Sequence, residues 1–225
     1  MRFRIRVKAV ARAMSAALFV LPFFLPAAGA YAQVTATAPV TEAPEYNNRW
    51  DIYGGAQYSH FNPGPGRNIH ANNLLGWNAT LTAYLRPLWG IEMGTRGLYG
   101  NMSVPANPYN VPASPRMSEN LFLFGPTFRF IRRDTWAAGM HVLVGAAYGS
   151  FDKDFPQGIS PNQVGIYNNK LAFGAAVGAW SDYNLSTNLS VRIIADYMPT
   201  HYGYTRQNEF AGSVGIVYKF GAIRK

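Results

Sequence analysis

Eight stretches of this 225-residue chain alternate apolar and polar residues with a period of two, each roughly ten residues long. They span 50–59, 76–85, 89–99, 119–130, 137–148, 170–180, 189–198 and 210–220. Period two sends successive side chains to opposite faces of an extended backbone, so each stretch predicts a β-strand with one apolar face. In 76–85, Trp77, Ala79, Leu81, Ala83 and Leu85 oppose Asn78, Thr80, Thr82 and Tyr84. In 119–130, Phe122, Phe124, Phe128 and Phe130 oppose Glu119, Thr127 and Arg129. In the last stretch, Val214, Ile216, Tyr218 and Phe220 oppose Ser213, Gly215, Val217 and Lys219. Beyond residue 48 no window holds the ~18 apolar residues of a helical membrane span, whereas ~9–11 suits a tilted membrane strand.

A soluble sandwich alternates in the same way, so three further features decide. The connections alternate in length. Long ones follow the first, third, fifth and seventh stretches, and short ones ("RPL", "IRRDT", "SDYNLSTN") follow the second, fourth and sixth. Aromatic residues gather at strand ends on the apolar face, among them Trp50, Tyr58, Trp77, Trp89, Tyr99, Phe130, Tyr148, Tyr197, Phe210 and Phe220. Such placement fits interfacial girdles. The charges lie on the opposite face, which suits an interior. These features predict an all-β protein: an eight-stranded, antiparallel, up-and-down transmembrane β-barrel with both chain ends on the short-turn, periplasmic side.

The N-terminus fits that destination. Arg2, Arg4, Arg6, Lys8 and Arg12 precede a short apolar core broken by Pro22 and Pro26, and Ala30-Tyr31-Ala32 is a small-x-small cleavage site. This is the layout of a secretory signal peptide over 1–32. Without it the formal net charge falls from +9 to +4, which removes the main support for a nucleic-acid partner. Residues 33–48, rich in Thr, Ala and Pro, read as a flexible periplasmic leader. The barrel is expected over 49–221, with 222–225 as a short tail. The chain has no cysteine, so disulfides and thiolate chemistry are excluded.

Seven residues fall on the predicted lumen side as a polar network: Glu92, Arg96, Glu119, Arg129, His141, Arg192 and Asp196. Eight strands leave an interior just wide enough for side chains. The network therefore reads as filling a closed interior rather than lining an ion pathway, with Tyr53, Tyr84 and Trp180 sharing the space. Arg129 is the expected partner of Glu92, Glu119 of Arg96, and Asp51 of Lys219. His141 lacks the companions of a metal site, and His60, His70 and His201 sit in or beside separate loops. Ser59 and His60 are adjacent on a strand and point to opposite faces, so they make a poor nucleophile–base pair. No catalytic residue, cofactor or metal is expected, and the chain reads as a non-enzyme.

The pattern Ser213-x-Gly215-x-x-Tyr218-x-Phe220 resembles the assembly signal at the end of bacterial outer-membrane barrels. "VGIVYKFG" resembles the last strand of the OmpA-like transmembrane domain, and "GWNATLTAYL", "LFLFGPTFRF" and "VRIIADYM" are similar to strands of small outer-membrane β-barrels. The resemblance covers about 50–220. It implies an outer-membrane location, lipid as a partner, and the barrel-assembly machinery as a partner during biogenesis. Two departures qualify it. Five residues follow Phe220, and no peptidoglycan-binding domain follows the strand, so cell-wall anchoring is not expected. The expected role is structural or surface-interacting, carried by four long extracellular loops of a monomer. A narrow channel or conduit for small hydrophobic solutes is the alternative, and a lipid-modifying enzyme the third reading.

Overall fold

In the computed structural model, which describes residues 47–62, 70–168, 170–203 and 206–223, eight strands form one closed antiparallel sheet. They are β1 (Asn48–Asn62), β2 (Asn72–Arg86), β3 (Trp89–Asn101), β4 (Arg116–Arg132), β5 (Trp136–Ser150), β6 (Lys170–Asn184), β7 (Leu189–Thr200) and β8 (Gln207–Ala222). Each strand pairs with its chain neighbours, and β1 closes the ring on β8 from Asn48↔Ala222 to Asn62↔Asn208. The expected signal peptide lies outside the described residues, as does the expected leader apart from Asn47 and Asn48. Asn48, assigned to that leader, and Ala222, assigned to the tail, both belong to strands because they pair in the closing seam.

The apolar faces turn outward. Phe122, Phe124 and Phe128 are 64%, 57% and 38% exposed, which no sandwich core would allow. Ile52, Leu81, Ile91, Met93, Val142, Val144, Phe173 and Ile193 continue the belt. In water such a continuous apolar surface would drive association, whereas lipid covers it. The opposite faces are buried in the lumen. Turn chemistry divides the two rims as expected: Pro87-Leu88, 133–135 and 185–188 are tight, while the other rim carries the long connections.

Most strands overrun their sequence signal. β2 starts at Asn72 and β6 continues to Asn184, each four residues beyond the alternating stretch. Beyond the lipid belt the backbone ladder continues, but the outward face is no longer held to apolar residues throughout, so the apolar alternation that marks a membrane strand lapses. The first loop residues after β3 also stay paired, with Met102 N–H donating to Pro115 O at 2.9 Å and Val104 N–H to Ala113 O at 2.9 Å.

Candidate functional site

The lumen is filled in layers. In the turn-side half, Arg192 of β7 reaches Asp51 of β1 at 2.8 Å and Asp182 of β6 at 2.6 Å. Its guanidinium lies 4.4 Å from the Trp180 ring centroid. Lys219 of β8 completes this layer with a 3.0 Å contact to Asp182. Arg129 stacks 3.9 Å over Tyr84 and donates to Asn48 Oδ1 at 2.6 Å. Tyr53 hydrogen-bonds Ser213, and Trp180 Nε1 donates to Thr127 Oγ1 at 3.3 Å. Flat cations over aromatic rings combine charge pairing with close packing.

A second layer crosses the middle. Arg96 of β3 meets Asp196 of β7 at 2.6 Å. His141 of β5 sits between two carboxylates, with Nε2 2.8 Å from Asp196 Oδ1 and Nδ1 3.1 Å from Glu92 Oε1. The Nδ1 contact is a charge contact outside hydrogen-bond alignment. A carboxylate at each ring nitrogen is an arrangement that suits the doubly protonated ring, in which both nitrogens donate.

Above this layer stand Glu119 of β4 and Glu209 of β8, both fully buried. Tyr202 donates its hydroxyl to Glu119 Oε1 at 2.7 Å, and Ser59 donates to Glu209 Oε2 at 2.6 Å. Over them sits an apolar cap from three long loops: Met102, Val104 and Val111; Phe151, Val164, Ile166 and Tyr167; and Tyr202. The cap packs onto Phe61, Leu74, Leu98 and Met198 at the strand ends. Phe151 meets Tyr202 edge-on at 5.3 Å and Tyr167 at 5.8 Å. Gly149 lies beneath, where a Cβ would come within 2.5 Å of Phe151 and 2.9 Å of Tyr202.

All seven expected network residues are buried inside the ring, but their partners differ from those expected. Glu92 stands opposite Gly125, so Arg129 is four residues farther along β4, ~13 Å away. Arg96 stands opposite Leu121, and Glu119 is two residues, ~7 Å, beyond it. In so narrow a ring the facing wall is nearer than these neighbours, and β5 and β7 supply the partners instead. Lys219 does stand opposite Asp51 in register, but its ion pair is with Asp182. Ser213 and Gly215 face the lumen, while Tyr218 and Phe220 face outward and stack at 5.8 Å.

Asp182, Glu209 and Tyr202 escaped the sequence reading. Asp182 shares the parity of Trp180, and Glu209 that of Ser213. Both lie just outside the stretches taken as strands, so extending each strand by the same parity would have found them. His60 hydrogen-bonds Asn73 outside the barrel at 2.9 Å while Ser59 turns inward, so the two do not meet. Among the described residues no cluster of three His, Cys, Asp or Glu side chains is placed to hold a metal ion.

No protein-family model matches the chain, and no curated protein matches it in sequence. Solved structures match it in fold. The outer membrane protein OprG from Pseudomonas aeruginosa superposes with a TM-score of 0.56 at 14% identity, over 80% of this chain and 100% of its own. Neisserial surface protein A gives 0.52 at 12%, over 76% and 97%. Ail, the attachment invasion locus protein of Yersinia pestis, gives 0.50 at 16%, over 77% and 99%. At such identities the likeness is one of fold. The fold is that of small bacterial outer-membrane barrels, and with the lipid-facing belt it defines the chain as a small transmembrane β-barrel. Within that class it is an eight-stranded barrel with a charge-filled lumen and an apolar cap on its long-loop rim.

Proposed function

We propose that this barrel is a structural, surface-interacting protein whose working parts are its long extracellular loops. The double closure of the interior carries this reading: charged layers fill the turn-side half and an apolar cap covers the other. Side chains filling both halves narrow the passage for solute, so chemistry falls to the loop surface. Two of the loops, β3–β4 and β5–β6, are built rather than slack. The β3–β4 connection continues as a paired ribbon, and Arg116 at its base clasps Asp154 of the β5–β6 loop at 2.6 Å. The same reading has Ser213, Gly215, Tyr218 and Phe220 serve as the signal read by the barrel-assembly machinery, and the finished barrel act as a monomer without enzymatic activity.

The test is to replace the ribbon tip, residues 105–112, by a Gly-Ser linker and measure adhesion of expressing cells to a panel of extracellular-matrix proteins and polysaccharides. Equal barrel assembly with reduced adhesion is the expected result. Unchanged adhesion together with uptake of small hydrophobic solutes would favour the conduit reading. The apolar lining at the loop end, Leu74, Leu98 and Leu121, speaks for that second reading.

A further inference from the structure

Among the described side chains the buried charges of the lumen do not balance by residue type: Asp51, Glu92, Glu119, Asp182, Asp196 and Glu209 face Arg96, Arg129, Arg192, Lys219 and His141. With the imidazole charged, one carboxylate remains in excess. Isolated buried charge is costly and is relieved by protonation. The location of that surplus is set by geometry. The Arg96–Asp196, Glu92–His141 and Arg192–Asp182–Lys219–Asp51 groups contain opposite charges in contact. Glu119 and Glu209 instead have each other. Their carboxyls lie against one another, while Glu119 Oε2 and Glu209 Oε1 find no donor. Two carboxyls in contact, each with an oxygen that lacks a donor, are satisfied when a proton lies between them.

We propose that Glu119 and Glu209 form a proton-binding site that bolts β4 to β8 across the bore and, through Tyr202, latches the loop-end cap. With one proton shared, the pair carries a single negative charge and Glu119 accepts the Tyr202 hydroxyl. Raising the pH breaks only that O–H bond, the proton passes to hydroxide, and two carboxylates are left in contact. Their repulsion separates the ends of β4 and β8 and frees Tyr202, and with it the Phe151–Tyr167 edge of the cap.

Few groups compete for this control. Arg96 of β3 faces Glu209, and its charge is already held by Asp196 of β7. From β1 the pair meets Ser59, and among the described residues β2, β5 and β6 bring no ionisable group to this half. Tyr202 stays a donor throughout, because burial, with the Glu119 carboxylate beside it, holds its phenol well above the ordinary tyrosine range.

The absence of native cysteine makes the test direct. Thr200 is buried on the lumen side, two residues before Tyr202. A Thr200→Cys protein, folded in detergent, is labelled with a membrane-impermeant maleimide from about pH 6 to about pH 10. The same cysteine in a Glu209→Gln background cancels the thiol's own ionisation, and the amide keeps the carboxyl–carboxyl hydrogen bond without titrating. The ratio of parent to Glu209→Gln labelling rates should climb about tenfold as the shared proton is lost. A flat ratio overturns the proposal. Should Glu209→Gln not give the heat-modifiable folded form, Glu119→Gln takes its place. Tyr202→Phe should label quickly at every pH, and slow labelling of that variant would equally overturn the latch. None of these readings depends on what the loops bind.

Discussion

Arg96 Nη1 and Asp196 Oδ2 meet at 2.6 Å across the bore, from β3 and β7, strands that lie four places apart in the ring. Glu119 and Glu209 join β4 to β8 in the same diametric way. Backbone pairing binds each strand only to its neighbours, so these side chains are the ties between opposite walls. The lumen is therefore part of the barrel's architecture, and its charges act as cross-braces.

Breaking one brace should cost more than the pair is worth intact. Asp196→Ala removes the ion-pair partner of Arg96 and one of the two carboxylates at His141, which keeps Glu92 alone. Removing one member of a buried ion pair costs about 3–5 kcal/mol. The double change Arg96→Met with Asp196→Leu should recover most of that loss, since apolar replacement of a whole pair is often neutral. Urea titration of the folded barrel in lipid vesicles, read by heat-modifiable mobility, measures both.

The layered lumen also predicts its electrical behaviour. Wild-type protein in a planar bilayer should show little stable conductance. Phe151→Ala with Tyr202→Ala removes two of the cap's three aromatic groups but leaves the Arg192, Trp180 and Arg129 layers in place, so that variant should stay closed as well. Large, steady, ohmic openings from the wild type would make the channel reading the leading one.

The clasp between Arg116 and Asp154 lies in water and should behave accordingly. The Arg116 guanidinium hydrogen-bonds Asp154 and holds its carboxyl below the usual aspartate range. A depressed folded-state value means that the clasp contributes above the unfolded pKa and is lost as pH falls through the folded one. Carbon-13 titration of the Asp154 carboxyl should show the depression in wild type and its disappearance in Arg116→Gln. The unfolding midpoint should hardly move, since exposed pairs add little.

The outer surface of this barrel was legible from sequence because lipid imposes a rule on it. Every second residue from Trp77 to Leu85, or from Phe122 to Phe130, must be apolar, and that regularity reveals strand, face and strand number together. The interior obeys no such rule. Glu92 needs a cation, but nothing along β3 or β4 says that His141, from a strand two places away, will supply it. Pairing across the bore depends on ring radius and strand stagger, which exist only once the sheet has closed. The cap was harder still. Phe151, Tyr167 and Tyr202 lie in or beside loops without periodicity, and their meeting over Gly149 follows from two loops converging on one rim.

The closing strand gives the sharpest contrast between its two faces. Phe220 stacks on Trp50 of β1 at 6.4 Å and on Tyr218 at 5.8 Å, at the short-turn end of the lipid-facing seam. Phe220→Ala should cost about 1.5–3 kcal/mol from lost apolar contact with lipid and with these rings. If the residue is also part of the assembly signal, less protein should reach the membrane even where the finished barrel is stable. Its neighbour should separate those effects. Lys219 is buried, pairs with Asp182 at 3.0 Å and donates to Asn184 Oδ1 at 2.9 Å. The sequence alone suggested a minor contact there, whereas the structure makes it a member of the turn-side brace. Lys219→Ala should therefore destabilise toward the lower end of about 3–5 kcal/mol, because Arg192 still holds Asp182. Its rate of membrane assembly should stay normal. Folded-band intensity in outer-membrane fractions reads assembly, and refolding into detergent reads stability. Phe220→Ala should lose on both and Lys219→Ala on the second alone, and equal assembly of Phe220→Ala and wild type would leave Phe220 as a girdle residue only.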